Sequence, residues 1–328
     1  LNYGAYLQVY SLQNFLEKNN YDVEIINYKS LRFLFLEFRS LFSKNFIKSL
    51  CQLINYLKFY YYRKKIKKSN FSFKKKQISY SKYDLIIFGS DEIWNYKNPL
   101  IGYDDVYFGN NCKTQKISYA VSFGTTKNIE INKNEIVGNL KNFKSITVRD
   151  LNSKKIIESL LKKMTEIVLD PVFIYDFHDE LKQNNKYEDL KKQIIVYGHH
   201  FKNDEINKII NYAKENNKKL ISLGYYHNWC DYNLPFINPF ELLSIIKNCG
   251  CVFTNMFHGV VFSIKYNVNF YLLFDQYRNN KLDYITQLFN LKKISYKEEY
   301  NIQNLNQIND NDILKTNISR SKKILLEN

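Results

Sequence analysis

Cys251-Val252-Phe253-Thr254-Asn255-Met256-Phe257-His258-Gly259 is a short apolar run that ends in a histidine and a glycine. Thr254 and Asn255 break the apolar pattern, and from Val260 to Tyr266 an apolar helical pattern takes over. A buried strand giving way directly to a helix is the repeating unit of an α/β sheet. The junction sets His258 at the carboxyl rim of that sheet. Ligands of open α/β sheets bind at this rim, and the amides that open the next helix favour an anion. A core or capping histidine without chemistry is the competing reading at this stage.

The same pattern extends in both directions. Upstream, Gln193 to Tyr197 reads as a strand, Asn203 to Asn217 as a helix and Lys219 to Leu223 as a strand. Asn238, Pro239 and Glu241 then form a helix start, with an N-cap, a proline at the first helical position and the glutamate of a capping box. Downstream come a strand at Asn269 to Leu273, a helix at Asn280 to Phe289 and a closing helix at Asp310 to Leu326. An earlier series contains the strands Asp84 to Phe88, Lys116 to Val121, Ser145 to Val148 and Glu166 to Leu169. Asp150 is placed to cap a helix over Leu151 to Lys163. Strands this short, alternating with helices, predict parallel sheets covered on both faces. Two α/β domains follow, 1–175 and 176–328, the second including the closing helix. Ala5, Val9, Leu12 and Leu16 share one helical face, followed by an extended run from Asp22 to Asn27. This is an α-then-β unit whose preceding strand is expected upstream of Leu1.

At 328 residues, 45% hydrophobic and 24% charged, the chain is globular and long enough for two cores. The formal charge of +16 would point to an anionic partner, but it accompanies heavy use of Lys, Asn, Ile, Tyr and Phe. That is the mark of adenine- and thymine-rich codons, so nucleic-acid binding is not inferred. Against this lysine background the six arginines, Arg32, Arg39, Arg63, Arg149, Arg278 and Arg320, mark positions where a planar fork can matter. Five cysteines without a CxxC pair exclude a zinc ribbon and argue against a disulfide framework. No signal peptide and no apolar run of membrane-spanning length is seen, so a cytoplasmic location is expected, with the inner membrane face as an option. The option comes from Leu31 to Gln77, where aromatic and aliphatic residues mix with lysine. One or two amphipathic helices are predicted there, either a solvated excursion or a peripheral contact with anionic lipid.

Several segments, taken in order, resemble the polysaccharide pyruvyl transferase family. They are Asn2 to Gln8 (NYGAYLQ), Phe88 to Asn95 (FGSDEIWN), Ile117 to Gly124 (ISYAVSFG), Ile146 to Asp150 (ITVRD), Leu169 to Phe173 (LDPVF), Asn238 to Leu243 (NPFELL) and Phe257 to Gly259 (FHG). The resemblance implies two Rossmann-like domains facing across a cleft, as in the glycosyltransferase B architecture. It also implies transfer of the enolpyruvyl unit of phosphoenolpyruvate onto two hydroxyls of a sugar as a pyruvate ketal. The acceptor would be a cell-surface polysaccharide or its lipid-linked oligosaccharide precursor. No metal and no cofactor beyond the co-substrate is implied. Family members often carry an arginine two residues before the histidine; here Met256 stands there.

The implied site has two parts. On the donor side, Arg149 matches the family's donor-binding arginine, and His258 is expected to bind phosphate or to protonate the enol, a task for a side chain that titrates near neutrality. Asn255 and Gly259 flank it, and Arg278 is a candidate second cation. On the acceptor side, Gly4, Gln8, Gly89, Ser90 and Asp91 lie at strand-to-helix turns. Asp91 is a candidate proton acceptor for a sugar hydroxyl, or else a helix cap. A surface ion pair from Arg149 to Asp150 or Glu158, and a core role for Trp94 rather than sugar stacking, are the plain alternatives. Tyr197-Gly198-His199-His200 also ends a strand, without metal-ligand spacing. Two other functions stay in view: a glycosyltransferase with a nucleotide-sugar donor, and a non-catalytic glycan-binding member, which Met256 favours.

Overall fold

Short runs rich in β-branched and aromatic residues, too apolar to leave either face in water, form the central strands of two parallel sheets. The computed structural model describes residues 2–40, 42, 46–183, 190, 192–273, 279–294, 306 and 311–328. The chain separates into one unit of residues 1–175 with 315–328, and a second of residues 176–314.

The first unit opens with α1 (Tyr3–Lys18), started by Asn2, whose side chain accepts from the Ala5 amide. Then come α2 (Leu31–Ser40) and α3 (Phe46–Arg63), the two helices expected in the basic excursion. Next are β1 (Leu85–Asp91), β2 (Gln115–Val121), α4 (Lys133–Lys141), β3 (Ser145–Val148), α5 (Leu151–Leu161), β4 (Glu166–Ile167) and the single turn α6 (Pro171–Ile174). The four strands pair in consecutive order, all parallel. Asp150 caps α5 as its position predicts, accepting from the Ser153 amide at 2.7 Å.

Two expectations for this unit need correction. Asp22 to Asn27 does not join the sheet; Ile25 makes an isolated parallel bridge to Lys68, and Tyr28, just past the run, makes another to Ser72. The second concerns the closing helix, which was expected with the second domain. From Lys315 onward it belongs to the first unit, held by Ser321 Oγ accepting from the Leu169 amide at 3.0 Å and by Lys322 over the Phe15 ring.

The second unit runs α7 (His178–Lys182), β5 (Ile194–Tyr197), α8 (Asn203–Glu215), β6 (Leu220–Leu223), β7 (Tyr232–Leu234) and α9 (Pro239–Asn248). It continues with β8 (Cys251–Thr254), α10 (Phe257–Lys265), β9 (Phe270–Leu273), α11 (Asn279–Leu288), β10 (Lys293–Ile294) and the start of α12 (Asn311–Leu326). The Asn238 capping box forms in full, with Asn238 accepting from the Phe240 and Glu241 amides and Glu241 accepting from the Asn238 amide. Every residue of β5, β6, β8 and β9 is buried. Their core includes Phe253 stacked on Tyr271 at 4.5 Å.

Six parallel strands lie in the order β7-β6-β5-β8-β9-β10. Counted within the unit this is 3-2-1-4-5-6, the doubly wound Rossmann order. The chain reverses its direction of winding between β5 and β8. Their register pairs Tyr197 with Thr254, so the two carboxyl ends finish side by side. In such sheets the crevice beyond that reversal is where ligands bind.

Candidate functional site

In the second unit the reversal point gathers three loops. After β8 come Asn255 and Met256, then α10. Thr254, fully buried, donates its hydroxyl to the Tyr197 carbonyl at 2.7 Å and accepts from the Met256 amide at 3.0 Å. It thereby fixes the turn into α10. Asn255 Nδ2 donates to the His199 carbonyl at 2.7 Å, tying the β8 loop to the β5 loop. His258 is the second residue of α10, 7% exposed, with its ring against Phe257 and Phe262. The first-turn amides of a helix have no carbonyl partner within it, and the helix dipole there favours negative charge.

Gly259 is required by space, not by backbone angle. A Cβ there would lie 2.1 Å from Thr254 Oγ1, and the two hydrogen bonds of that hydroxyl keep it from turning away. Gly259→Ala is therefore expected to cost about 1–3 kcal/mol. Urea unfolding followed through Trp229 in the second unit checks this, and an unchanged midpoint would show that the turn can yield.

The remaining wall was not singled out from sequence. After β6, Tyr225, His227 and Trp229 form a ring series, with His227 stacked on Trp229 at 5.1 Å and Tyr225 edge-on to His199 at 5.4 Å. His227 Nε2 lies 3.1 Å from the Gly198 carbonyl, and burial pushes its pKa down. The Tyr225 hydroxyl points to Met256 Sδ at 3.6 Å, so the position where relatives often carry arginine is here part of an apolar and aromatic wall. The density of rings in Tyr225 to Trp229 was the signal available in the sequence. Arg278, the expected second cation, lies outside the described residues.

In the first unit, the carboxyl ends of β1 and β3 bring together Asp91 and Arg149, and the loop after β4 adds Asp170. The Arg149 side chain is 2% exposed and lies between two carboxylates, donating to Asp91 at 3.1 Å and to Asp170 at 3.3 Å. Neither Asp150 nor Glu158, the surface partners considered from sequence, is among these. Asp170 is fully buried; its Oδ1 caps α6 at the Val172 amide, and its Oδ2 also accepts from Gln8 of α1. Gly4 lies one turn before Gln8, buried in the same helix.

Gly89 permits the approach of the strands that this cluster needs. Its φ is +133°, and a Cβ would meet the Tyr119 carbonyl oxygen at 2.1 Å. The peptide to Ser90 is cis, and Asp91 follows with φ 76°. Asp91 ends the strand instead of capping a helix, and its carboxylate is the part of the cluster that reaches solvent, 33% exposed. A donor anion at Arg149 would compete with both carboxylates. Trp94, by contrast, is core: fully buried, its indole N–H donates to the Tyr107 carbonyl at 2.8 Å.

The expected residues thus fall into two groups, each within its own unit: Gly4, Gln8, Gly89, Ser90, Asp91 and Arg149 in the first, and Asn255, His258 and Gly259 in the second. Among the described residues, no group of three or more His, Cys, Asp or Glu is placed to hold a metal ion.

No curated protein matches the chain in sequence. Among solved structures it is similar to the UDP-GlcNAc 2-epimerase from Methanocaldococcus jannaschii, with 10% identity and TM-score 0.49 over 98% of this chain and 90% of that one. It is also similar to a putative UDP-N-acetylglucosamine 2-epimerase from Listeria monocytogenes, with 12% identity and TM-score 0.46 over 100% and 86%. The profile of one transferase family matches residues 2–273, a span that takes in both rim clusters. The chain belongs to the polysaccharide pyruvyl transferase family.

Proposed function

We propose that the protein transfers the enolpyruvyl unit of phosphoenolpyruvate onto two hydroxyls of a sugar in a cell-surface polysaccharide or its lipid-linked precursor. Two bonds form from sugar oxygens to the central carbon of the donor, and its bond to the phosphate oxygen breaks. One hydroxyl proton ends on the methylene carbon, making the ketal methyl group, and the other leaves with phosphate. Family membership across both rim clusters is the observation that carries this reading.

The residues take roles that their surroundings support. Asp91, the solvent-reaching carboxylate of its cluster, accepts a hydroxyl proton. Arg149 positions Asp91, with Asp170 and Gln8 holding the guanidinium from behind. His258 and the first turn of α10 receive the donor's phosphate, and His258 returns a proton to the developing product.

Purified protein given phosphoenolpyruvate and candidate sugar acceptors is expected to release phosphate and to yield a ketal methyl signal by NMR. Nucleotide release from a nucleotide-sugar donor, with no phosphate from phosphoenolpyruvate, would replace this reading with glycosyl transfer. Met256 in the aromatic wall supports one further reading, a glycan-binding member without turnover. A thermal shift with carbohydrate but none with phosphoenolpyruvate would decide for it.

A further inference from the structure

The lysine excess is not spread along the chain as a codon bias would spread it. Residues Leu31 to Gln77 hold thirteen Lys and Arg against one acidic residue, Glu37, a formal +12 of the total +16. At the chain's average, about four or five acidic residues would fall in a segment of this length. Glu37 itself is only 21% exposed and is paired with both Lys29 and Arg63. Acidic residues are missing from the region, and the one that remains is neutralised.

The two helices of this region also leave apolar faces in water. On α2, Leu31, Phe35 and Phe38 are each between 61% and 64% exposed, as is Phe42, two residues past its end. At 100° per residue the three on the helix fall within about 60° of arc, one continuous stripe. Arg32 and Arg39, both exposed, run beside it one position further round the helix. On α3, Phe59 packs edge-on against Tyr3 and Tyr6 of α1, which docks one face of the helix onto the first unit. The opposite face exposes Leu53, Leu57 and Tyr60, with Lys64 continuing the same row. Isolated exposed apolar residues are ordinary, but an apolar row on each of two successive helices is not.

We propose that α2 and α3 form a docking face for an anionic lipid bilayer, lying in the plane of the interface. The charge chooses the occupant. A second copy of the chain would set +12 against +12 across a thin apolar seam, whereas an anionic headgroup layer supplies the opposite sign and an apolar boundary beneath it. Phenylalanine and tyrosine beside Lys and Arg is the composition that such an interface selects. The face does not span: no helix among the described residues is long and apolar enough to cross a membrane. Docking there would hold the first unit beside lipid-linked saccharides, but the inference stands whether or not pyruvyl transfer is the reaction.

The test is cosedimentation of the full chain with vesicles of phosphatidylglycerol mixed into phosphatidylcholine, beside vesicles of phosphatidylcholine alone. Binding to the anionic vesicles, weakened by salt and at least about tenfold poorer on the neutral ones, is expected. The double substitution Phe35→Ser with Phe38→Ser, on exposed side chains, should lower binding by about tenfold or more while circular dichroism and thermal midpoint stay unchanged. Arg32→Glu with Lys64→Glu should lower it in a separate protein, removing charge without removing the stripe. Absence of binding to anionic vesicles, or binding indifferent to both pairs, overturns the proposal. So does a dimer in light scattering that the Phe35→Ser and Phe38→Ser pair dissociates, since the face would then belong to a second copy.

Discussion

Replacing Arg149 with methionine is expected to destabilise the first unit by about 3–5 kcal/mol and to abolish transfer. The side chain is 2% exposed and joins Asp91, at the end of β1, to Asp170, in the loop after β4, so removal takes a guanidinium from a fully buried carboxylate. Methionine fills much the same volume, which separates the lost charge from a lost volume. Arg149→Lys should recover only part, because a point-charge ammonium cannot serve two carboxylates with a planar fork. Asp170→Asn in the Arg149→Met background should return part of the stability, as the uncompensated charge is what costs most. The chain's two tryptophans sit one in each unit, so urea unfolding in a Trp229→Phe background lets Trp94 report on the first unit alone. A midpoint that stays at the wild-type value in Arg149→Met would mean that water screens the pair and that the buried cluster is not what holds the rim together.

The second large effect is expected at His258, and it should fall on turnover instead of stability. His258→Ala is predicted to slow phosphate release by about 10²–10⁴-fold, the usual range for losing a positioned general acid. The ring packs against Phe257 and Phe262 of its own helix, so the thermal midpoint should move less than in Arg149→Met. His258→Gln retains a hydrogen-bonding amide and loses proton transfer. If binding phosphate were the whole task, glutamine would preserve most of the rate. A rate as low as alanine's, with unchanged KM for phosphoenolpyruvate, would place the proton at this residue. Wild-type turnover in His258→Ala removes it from the mechanism and leaves the α10 amides as the anion contact.

Much of the fold was legible because its signals are local. The Asn238 capping box and the Asp150 cap need only residues three apart, and both form as read. Strand and helix alternation likewise follows from runs of four to seven residues. The extended run at Asp22 to Asn27 looked like a strand by the same local criterion. It lies outside the sheet because pairing depends on which neighbour is available, and its neighbours are Lys68 and Ser72. For the candidate site, the residue types and the rims were legible and the partnerships were not. The plain alternative for Arg149 named nearby Asp150 and Glu158, whereas its side-chain hydrogen bonds run to Asp91 and Asp170, 58 and 21 positions away.

The sequence by itself determined that the chain is an α/β protein with parallel sheets, that helices begin at the Asp150 and Asn238 caps, and that His258 lies at a strand-to-helix junction. These are set by periodicity, capping chemistry and the burial needs of short apolar runs, all of which act within a few residues. Tertiary structure alone decided the strand order that puts the reversal between β5 and β8, the return of the last helix from Lys315 to the first unit, and the joining of Gln8 to Asp170 across 162 positions. Each is a choice of partner among distant groups, made where a buried charge or amide must find its complement, and no local pattern carries that information.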